Sequence, residues 1–319
     1  MRFIKWLSEA NTKDEDVHSL GSKAATLAKL TRTGCKIPEA FCITTDAYEE
    51  FTSAHQVAAE IESQLKTVNQ TNLRGIEAAS KQIRRCIESK PLPELLTKEI
   101  TNAYQRLGGC AVAVRSSASL EDLSTASFAG QYDSFINISG VAEVISRVKS
   151  VWSSLWTARA IVYRRLKQLD QGKASMAVLV QRLVDAEAGG VLFTKDPFSK
   201  TSNVMIIEGA WGLGDSVTSG SVDPDRFWVD RSNLKVIKQA LASKSLMRVP
   251  SRESGTIDMP TPNLKRDTPC ITSQAVAELA RLSLGIESLF GAPQDIEWAL
   301  SDESFYIIQS RPLQQATKQ

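Results

Sequence analysis

The chain has 319 residues, enough for two compact units of roughly 150 residues or one large unit with a substantial core. Hydrophobic residues make up 42% and charged residues 23%, which excludes disordered, collagen-like and coiled-coil chains. Lys plus Arg number 38 against 36 Asp plus Glu, so the net +2 gives no pull toward nucleic acid or an anionic membrane, and any anion site must be local. The five cysteines form no Cys-x-x-Cys pair, which leaves no zinc or redox motif and fits reduced thiols in a cytoplasmic protein. Lys5 and Glu9 interrupt the first apolar residues, and no run approaches the roughly 20 apolar residues that span a bilayer.

From Gly21, the pattern GSKAATLAKL predicts a helix opening after a glycine, with Leu20, Ala24, Leu27 and Leu30 at helical spacing, ended by Gly34 and Pro38. Residues 46–104 read as a helical part broken at Thr71-Asn72 and at Pro91 and Pro93. A short apolar strand at 110–114 runs into Arg115 and a polar loop reaching Gly130. Helical spacing returns over 141–169. Strand patterns follow at 177–181, 190–194, 204–208 and 226–229, then a helix at 273–290 and strands at 295–300 and 305–311. Trp152, Trp156 and Trp211 read as core, and 243–268 as a polar surface excursion. The fold class is α+β, with a helical N-terminal part and a mainly antiparallel sheet with helices in the C-terminal part.

Four places could carry chemistry. Lys23 follows a glycine at a helix start, where unpaired N–H groups favour an anion, although a solvated lysine has the same pattern. Arg115 projects from the end of a buried strand, a rigid platform for bidentate phosphate binding or for an ion pair with Glu121 or Asp122. The loop containing Gly130, Gln131 and Ser134 could present backbone N–H groups to a phosphate, or be a plain flexible loop. In the terminal strands, Asp295, Glu297 and Ala299 share one face, and strict alternation places Phe305, Ile307, Gln309 and Arg311 on one face of the next strand. A hairpin pairing Glu297 with Gln309 makes an oxygen-rich pair suited to Mg²⁺, with Arg311 beside it; the alternative is the exposed face of an edge hairpin. His18 and His55 have no ligand-like spacing.

The strings GSKAATLAKL, AVRSSASLEDLSTASFAGQYDSF, AVLVQRLV, AGGVLFTKDPFS, IIEGAWGLGDSVTSGSVDPDRFWV and QDIEWALSDESFYIIQSRPL occur in that order. Together they resemble the nucleotide-binding domain of phosphoenolpyruvate synthases, pyruvate phosphate dikinases and rifampin phosphotransferases, over essentially the whole chain. The resemblance implies a two-lobed ATP-grasp fold, with lobes at 1–183 and 184–315 and a tail at 316–319. It implies ATP and Mg²⁺ as cofactors, and transfer of the β-phosphoryl group of ATP to a histidine with release of AMP and phosphate. Carried over by position, Lys23 and Arg115 match basic residues on the phosphates, and Gly130, Gln131 and Ser134 match glycine-loop contacts. Gln181 matches the segment beside adenine and Leu183 a source of backbone contacts. Glu297 and Gln309 match metal and phosphate ligands, and Arg311 the arginine that neutralises transferring charge. Lys23, Arg115 and Arg311 are thereby the catalytic candidates.

Ser22 and Asp215 depart from the family's usual glycine and glutamate. The chain ends seven residues after Pro312 and carries no Thr-x-Gly-Gly-x-x-x-His string. The resemblance therefore implies an excised domain or a subunit whose histidine-bearing partner is a separate chain, as in split aryl-phosphate synthases, with the acceptor (pyruvate, a phenol or an antibiotic) bound elsewhere. The expected partners include no nucleic acid and no membrane. A rival reading is a regulatory adenine-nucleotide-binding module without turnover.

Overall fold

The computed structural model describes residues 2–10, 14–66, 68, 72–118, 122–123, 126–127, 132–199 and 202–314. The chain forms two compact units: Met1–Ala28 with Glu39–Leu183, and Lys29–Pro38 with Val184–Gln319. Residues 29–38, which sequence order groups with the N-terminal part, pack with the second unit. The N–H of Ile307 donates to the Lys36 carbonyl at 2.9 Å and the Lys36 ammonium to Ser304 Oγ at 2.7 Å.

The first unit contains β1 (Ile4–Trp6), most of α1 (Asp14–Thr31), β2 (Ala40–Ile43), α2 (Thr45–Ala54), α3 (Val57–Lys66), α4 (Leu73–Ser89) and α5 (Glu94–Arg106). It continues through β3 (Val112–Ser117), β4 (Asp122–Leu123), β5 (Ala126–Ser127), β6 (Ser134–Ile138), α6 (Val141–Ser154), α7 (Ala158–Leu166) and β7 (Ala177–Arg182). The expected helical character holds, and a five-stranded antiparallel sheet in the order β1-β2-β7-β3-β6 accompanies it. β1 and β2 are three and four residues long, too short to display a period in sequence. α4 buries Ile76, Ala79, Ile83 and Ile87 at three- and four-residue steps, and Asn72 caps it by accepting from the Gly75 N–H. The helix expected over 141–169 is two helices, because Thr157 starts the second by accepting from the Ala160 N–H. Phe41, Val114 and Val180 share one sheet face with a core that includes the fully buried Trp152 and Trp156. On the opposite face, Cys42 Sγ lies 3.5 Å from the Leu20 carbonyl of α1.

The second unit contains β8 (Ala188–Phe193), β9 (Val204–Trp211), α8 (Asp215–Thr218), β10 (Asp225–Asp230), β11 (Val236–Ala240), β12 (Leu246–Pro250) and β13 (Thr256–Pro260). α9 (Asn263–Arg266), α10 (Ser273–Phe290), β14 (Gln294–Ser301) and β15 (Ser304–Pro312) complete it. Six strands form one antiparallel sheet in the order β11-β10-β9-β8-β14-β15. α10 has the expected bounds; Thr272 caps its start and Gly291, at φ 67°, its end. It packs on this sheet through Val276, Leu279, Ala280, Ser283 and Ile286.

The stretch 243–268 is more structured than a polar excursion, since β12 and β13 form a hairpin and the stretch is pinned by a charge at zero exposure. The Lys244 ammonium donates to Asp225 Oδ1 at 2.6 Å, both side chains being completely buried. Trp211 is half-buried rather than core, its indole N–H donating to the Lys265 carbonyl and the Lys265 ammonium lying 4.6 Å above the ring. Among the described residues no helix is long and apolar enough to cross a membrane.

Candidate functional site

In the first unit, the geometry is set by Gly21. α1 begins before the glycine and breaks at it, with φ 71° and ψ 168°, and a Cβ there would lie 1.8 Å from the Ser117 carbonyl oxygen. Only glycine permits this approach. The restarted helix is fastened to the end of β3: the Ser22 N–H donates to the Ala118 carbonyl at 3.3 Å, and Ser117 Oγ accepts from the Ala24 N–H at 3.1 Å while donating to the Leu20 carbonyl at 2.7 Å. Two N–H groups that the helix-start argument offered to an anion are thus used internally, and Lys23 is the feature that remains. Its ammonium lies 3.3 Å from Ser116 Oγ.

Arg115 stands on β3 opposite Leu179 of β7 and Ser134 of β6. Gln181 lies two residues beyond Leu179 on the same sheet face, and its Oε1 accepts from Arg115 Nη1 at 3.5 Å. Gln181 is 2% exposed and its Nε2 has no hydrogen-bond partner. An amide donor left unsatisfied in a buried site costs about 1–3 kcal/mol unless a ligand or water meets it. Lys23 reaches the end of β3, and Arg115, Ser134 and Gln181 share its sheet; Leu183 follows β7 with its N–H already given to the Ala111 carbonyl at 2.9 Å. Gly130, Gln131 and the side chains of Glu121 and Asp122 lie outside the described residues.

In the second unit the hairpin turns at Asp302 and Glu303, both with positive φ, which is the two-residue turn that matches strand twist. Strict alternation fails between the strands. Trp298 pairs with Ile307 but Glu297 pairs with Gln309, so Ile308 is an extra residue in a β-bulge. The four odd-numbered residues of β15 therefore do not share a face. Phe305 and Ile307 are buried on the Trp298 side, whereas Gln309 and Arg311 lie with Glu297 and Asp295. The anticipated pairing of Glu297 with Gln309 occurs because of the bulge; without it Glu297 would oppose Ile308.

Arg311 is oriented by Asp295, with Nε and Nη2 donating to Asp295 Oδ2 at 2.8 and 2.7 Å. The guanidinium is thus a fixed, partly compensated charge rather than an open one. Glu208 of β9 belongs to the same face through the register Glu297–Val191–Glu208, and forms a short ion pair with Arg226. Sequence reasoning passed over Glu208, although it is the single acid in the apolar run of β9 and could have been singled out on that ground. At the family-variant position, Asp215 accepts from Arg248 at 3.3 Å, and Arg248 also donates to both oxygens of Asp258. Burial raises the Asp215 carboxyl above its ordinary range, with Arg248 opposing.

A carboxylate and an amide oxygen facing each other across two strands are hard donors, suited to Mg²⁺ that takes its remaining oxygens from water and phosphate. Among the described residues no cluster of three or more His, Cys, Asp or Glu side chains could hold a metal unaided.

Comparison with known proteins follows the same line. Residues 17–319 match the family described as pyruvate phosphate dikinase, AMP/ATP-binding domain. A probable phosphoenolpyruvate synthase of Methanocaldococcus jannaschii is 39% identical over 319 residues, covering 98% of this chain and 27% of that protein. A rifampicin phosphotransferase of Streptomyces sviceus is 38% identical over 315 residues, covering 98% of this chain and 36% of that protein. The chain thus spans about a third of the length of these relatives. A D-alanine–D-alanine ligase structure from Bacillus anthracis aligns with 70% of this chain and 57% of its own at 12% identity, with a TM-score of 0.27 that is too low for a fold assignment. The chain belongs to the pyruvate phosphate dikinase AMP/ATP-binding domain family.

Proposed function

We propose that this chain is the ATP-binding component of a dikinase-type phosphotransferase, passing the β-phosphoryl group of ATP to a histidine on another domain or chain, with release of AMP and phosphate. The observation that carries the reading is the bulged register, which sets Glu297, Gln309 and the Asp295-oriented Arg311 on one face of one hairpin. Family membership supports ATP as the nucleotide. The greater length of the relatives supports a histidine and an acceptor site carried elsewhere.

In this reading Lys23 and Arg115 bind phosphate oxygens, the guanidinium in bidentate fashion and the ammonium as a point charge. The unsatisfied amide of Gln181 donates to the nucleotide beside Arg115, and Ser134 adds a hydroxyl on the same strand row. The Leu183 carbonyl is the backbone group offered to the base, its N–H being committed. Gly130 and Gln131 keep their assignment to the phosphate loop by family resemblance. Glu297 and Gln309 hold Mg²⁺, and Arg311, fixed by Asp295, faces the charge that develops during transfer. Bound MgATP supplies the transferable phosphoryl group and a divalent charge that neutralises its oxygens. What the chain's residues contribute is positioning and electrostatic stabilisation fixed before the reaction begins. An ATP-grasp arrangement and a cytoplasmic location belong to the same proposal.

The test combines the chain with the protein that co-purifies with it, Mg²⁺ and ATP labelled in the β-phosphate. Label on a partner histidine with stoichiometric AMP is expected. Tight ATP binding with no partner-dependent AMP would assign the chain instead to a regulatory nucleotide-binding role, and label confined to ADP would overturn the dikinase reading.

A further inference from the structure

Within the first unit, a pocket of about 730 Å³ opens between α2, α3 and the segment that follows α7. None of Lys23, Arg115 or Gln181 lines it. Its volume falls in the range of small-molecule sites, roughly 300–1,000 Å³. The walls are apolar and aromatic, with Tyr48, Ile61, Leu65 and Trp156 contributing. Trp156 is buried and donates its indole N–H to the Tyr48 hydroxyl at 2.9 Å. Burial pushes the Tyr48 phenol up to about 12, so this wall is uncharged at neutral pH.

The pocket's charges differ in kind. Glu49, Glu62, Lys66 and Lys173 are exposed at the rim, where solvent screens them, and Glu62 and Lys66 pair with each other at 2.6 Å. Asp170 is spent on its own turn, accepting from the Gly172 N–H at 2.9 Å. Arg165 is different. Its Nη2 donates to the Leu65 carbonyl at 3.4 Å, but its Nη1 is buried with no partner. Behind the wall, Arg164 is 1% exposed, with Nε donating to Gln171 at 2.8 Å and the guanidinium 4.9 Å above Trp156. Its polar neighbours include the Tyr132 and Tyr48 hydroxyls rather than a carboxylate. Neither of these adjacent guanidinium groups forms an ion pair among the described residues, both have buried nitrogens without a hydrogen-bond partner, and the acids of the pocket (Glu49, Glu62 and Asp170) are exposed, so Arg165 is the charge that faces the apolar walls.

We propose that this pocket binds a small organic carboxylate, an aromatic or apolar body against Trp156 and Tyr48 with its carboxylate on Arg165. A monoanion suits Arg165 Nη1, because Arg165 and not Arg164 lines the pocket, and a charge-assisted hydrogen bond in a largely apolar setting discriminates strongly for charge. The assignment does not depend on the nucleotide reading, because the pocket lies within one unit and shares no residue with the phosphate cluster.

The probe pair is 4-phenylbutyrate and 4-phenylbutanol, which share an apolar body and differ in the anion. Binding to the full chain is followed by tryptophan fluorescence and by calorimetry. Saturable binding of the acid, roughly tenfold tighter than the alcohol, is expected. Arg165→Met should bring the acid to the level of the alcohol, and Ala59→Trp, which fills the pocket from its exposed edge, should weaken both. Equal affinity for acid and alcohol, no saturation by the acid up to about 10 mM, or tenfold preference surviving Arg165→Met would each overturn the proposal. The wild-type comparison decides the matter even if the Arg165 variant fails to fold.

Discussion

Lys244→Met removes the ammonium from a pair at zero exposure on both sides. Asp225 Oδ1 receives the Lys244 ammonium at 2.6 Å and the Ala242 N–H at 3.0 Å, while Oδ2 receives the Cys270 N–H at 2.8 Å. The substitution leaves a carboxylate with two amide donors, no countercharge and no solvent, which costs about 3–5 kcal/mol. That is a large share of the roughly 5–15 kcal/mol that holds a domain together. Asp225→Asn combined with Lys244→Met removes both charges but keeps an oxygen for only one of the two backbone donors, the other meeting the amide NH2, so it should recover about 1–2 kcal/mol of the loss. Equilibrium urea unfolding of wild type, Lys244→Met, Asp225→Asn and the double variant, read by tryptophan fluorescence and by circular dichroism, measures the cycle. A Lys244→Met protein within about 1 kcal/mol of wild type, or a double variant no more stable than the single one, would show that the pair is not the desolvated clamp that its geometry describes.

Glu297→Gln should lower Mg²⁺-dependent ATP turnover by about 10²–10³ with the partner present, while thermal unfolding of the chain changes little; a variant with wild-type turnover would remove Glu297 from the site. Gly21→Ala should cost roughly 3 kcal/mol, because alanine would adopt a glycine-only conformation and collide with the Ser117 carbonyl; unfolding midpoints at matched slope test this. Glu287 is pushed up by burial, but the bidentate Arg231 (2.7 and 3.0 Å) and Thr194 outweigh this and hold its carboxyl below its ordinary value of 4.5. Its contribution is therefore complete above the unfolded-state value and is lost as pH falls through the lower, folded-state value. Glu287→Gln should cost about 1–2 kcal/mol at pH 7, and the gap from wild type should narrow below about pH 4.5 in unfolding curves taken at several pH values.

The strands that sequence located were those whose apolar runs were long enough to carry a signal, such as 177–181 and 204–208, which fall within β7 and β9. β1 and β2 escaped because three or four residues hold no measurable period, and they join the sheet through pairing that is non-local. Lys244 looked like any lysine in a polar stretch, since its partner Asp225 is nineteen residues away and burial of a charge has no local signature. At the terminal hairpin the pairing of Glu297 with Gln309 was legible, but the assumption of unbroken alternation was not sound. The apolar residues 305 and 307 and the polar residues 309 and 311 have the same parity, which is itself the trace of an inserted residue. At Lys23 the local rule for helix starts missed that β3 consumes two of the amides, a fact of tertiary contact. Asp295 was placed on the correct face, yet its hold on Arg311 needed the register to be seen.

The inserted Ile308 also separates two selective pressures along a single strand. Phe305 and Ile307 answer to the hydrophobic interior, whereas Gln309 and Arg311 answer to chemistry, and the misfit between them lets each segment drift without dragging the other. Conservative aliphatic exchange at 305 or 307 should consequently be tolerated without retuning the ligand set. Loss of Ile308 would leave Glu297 opposite Gln309 in an unbroken ladder, whereas closing the bulge with Ile308 retained would set Ile308 opposite Glu297 and turn the glutamine and arginine inward.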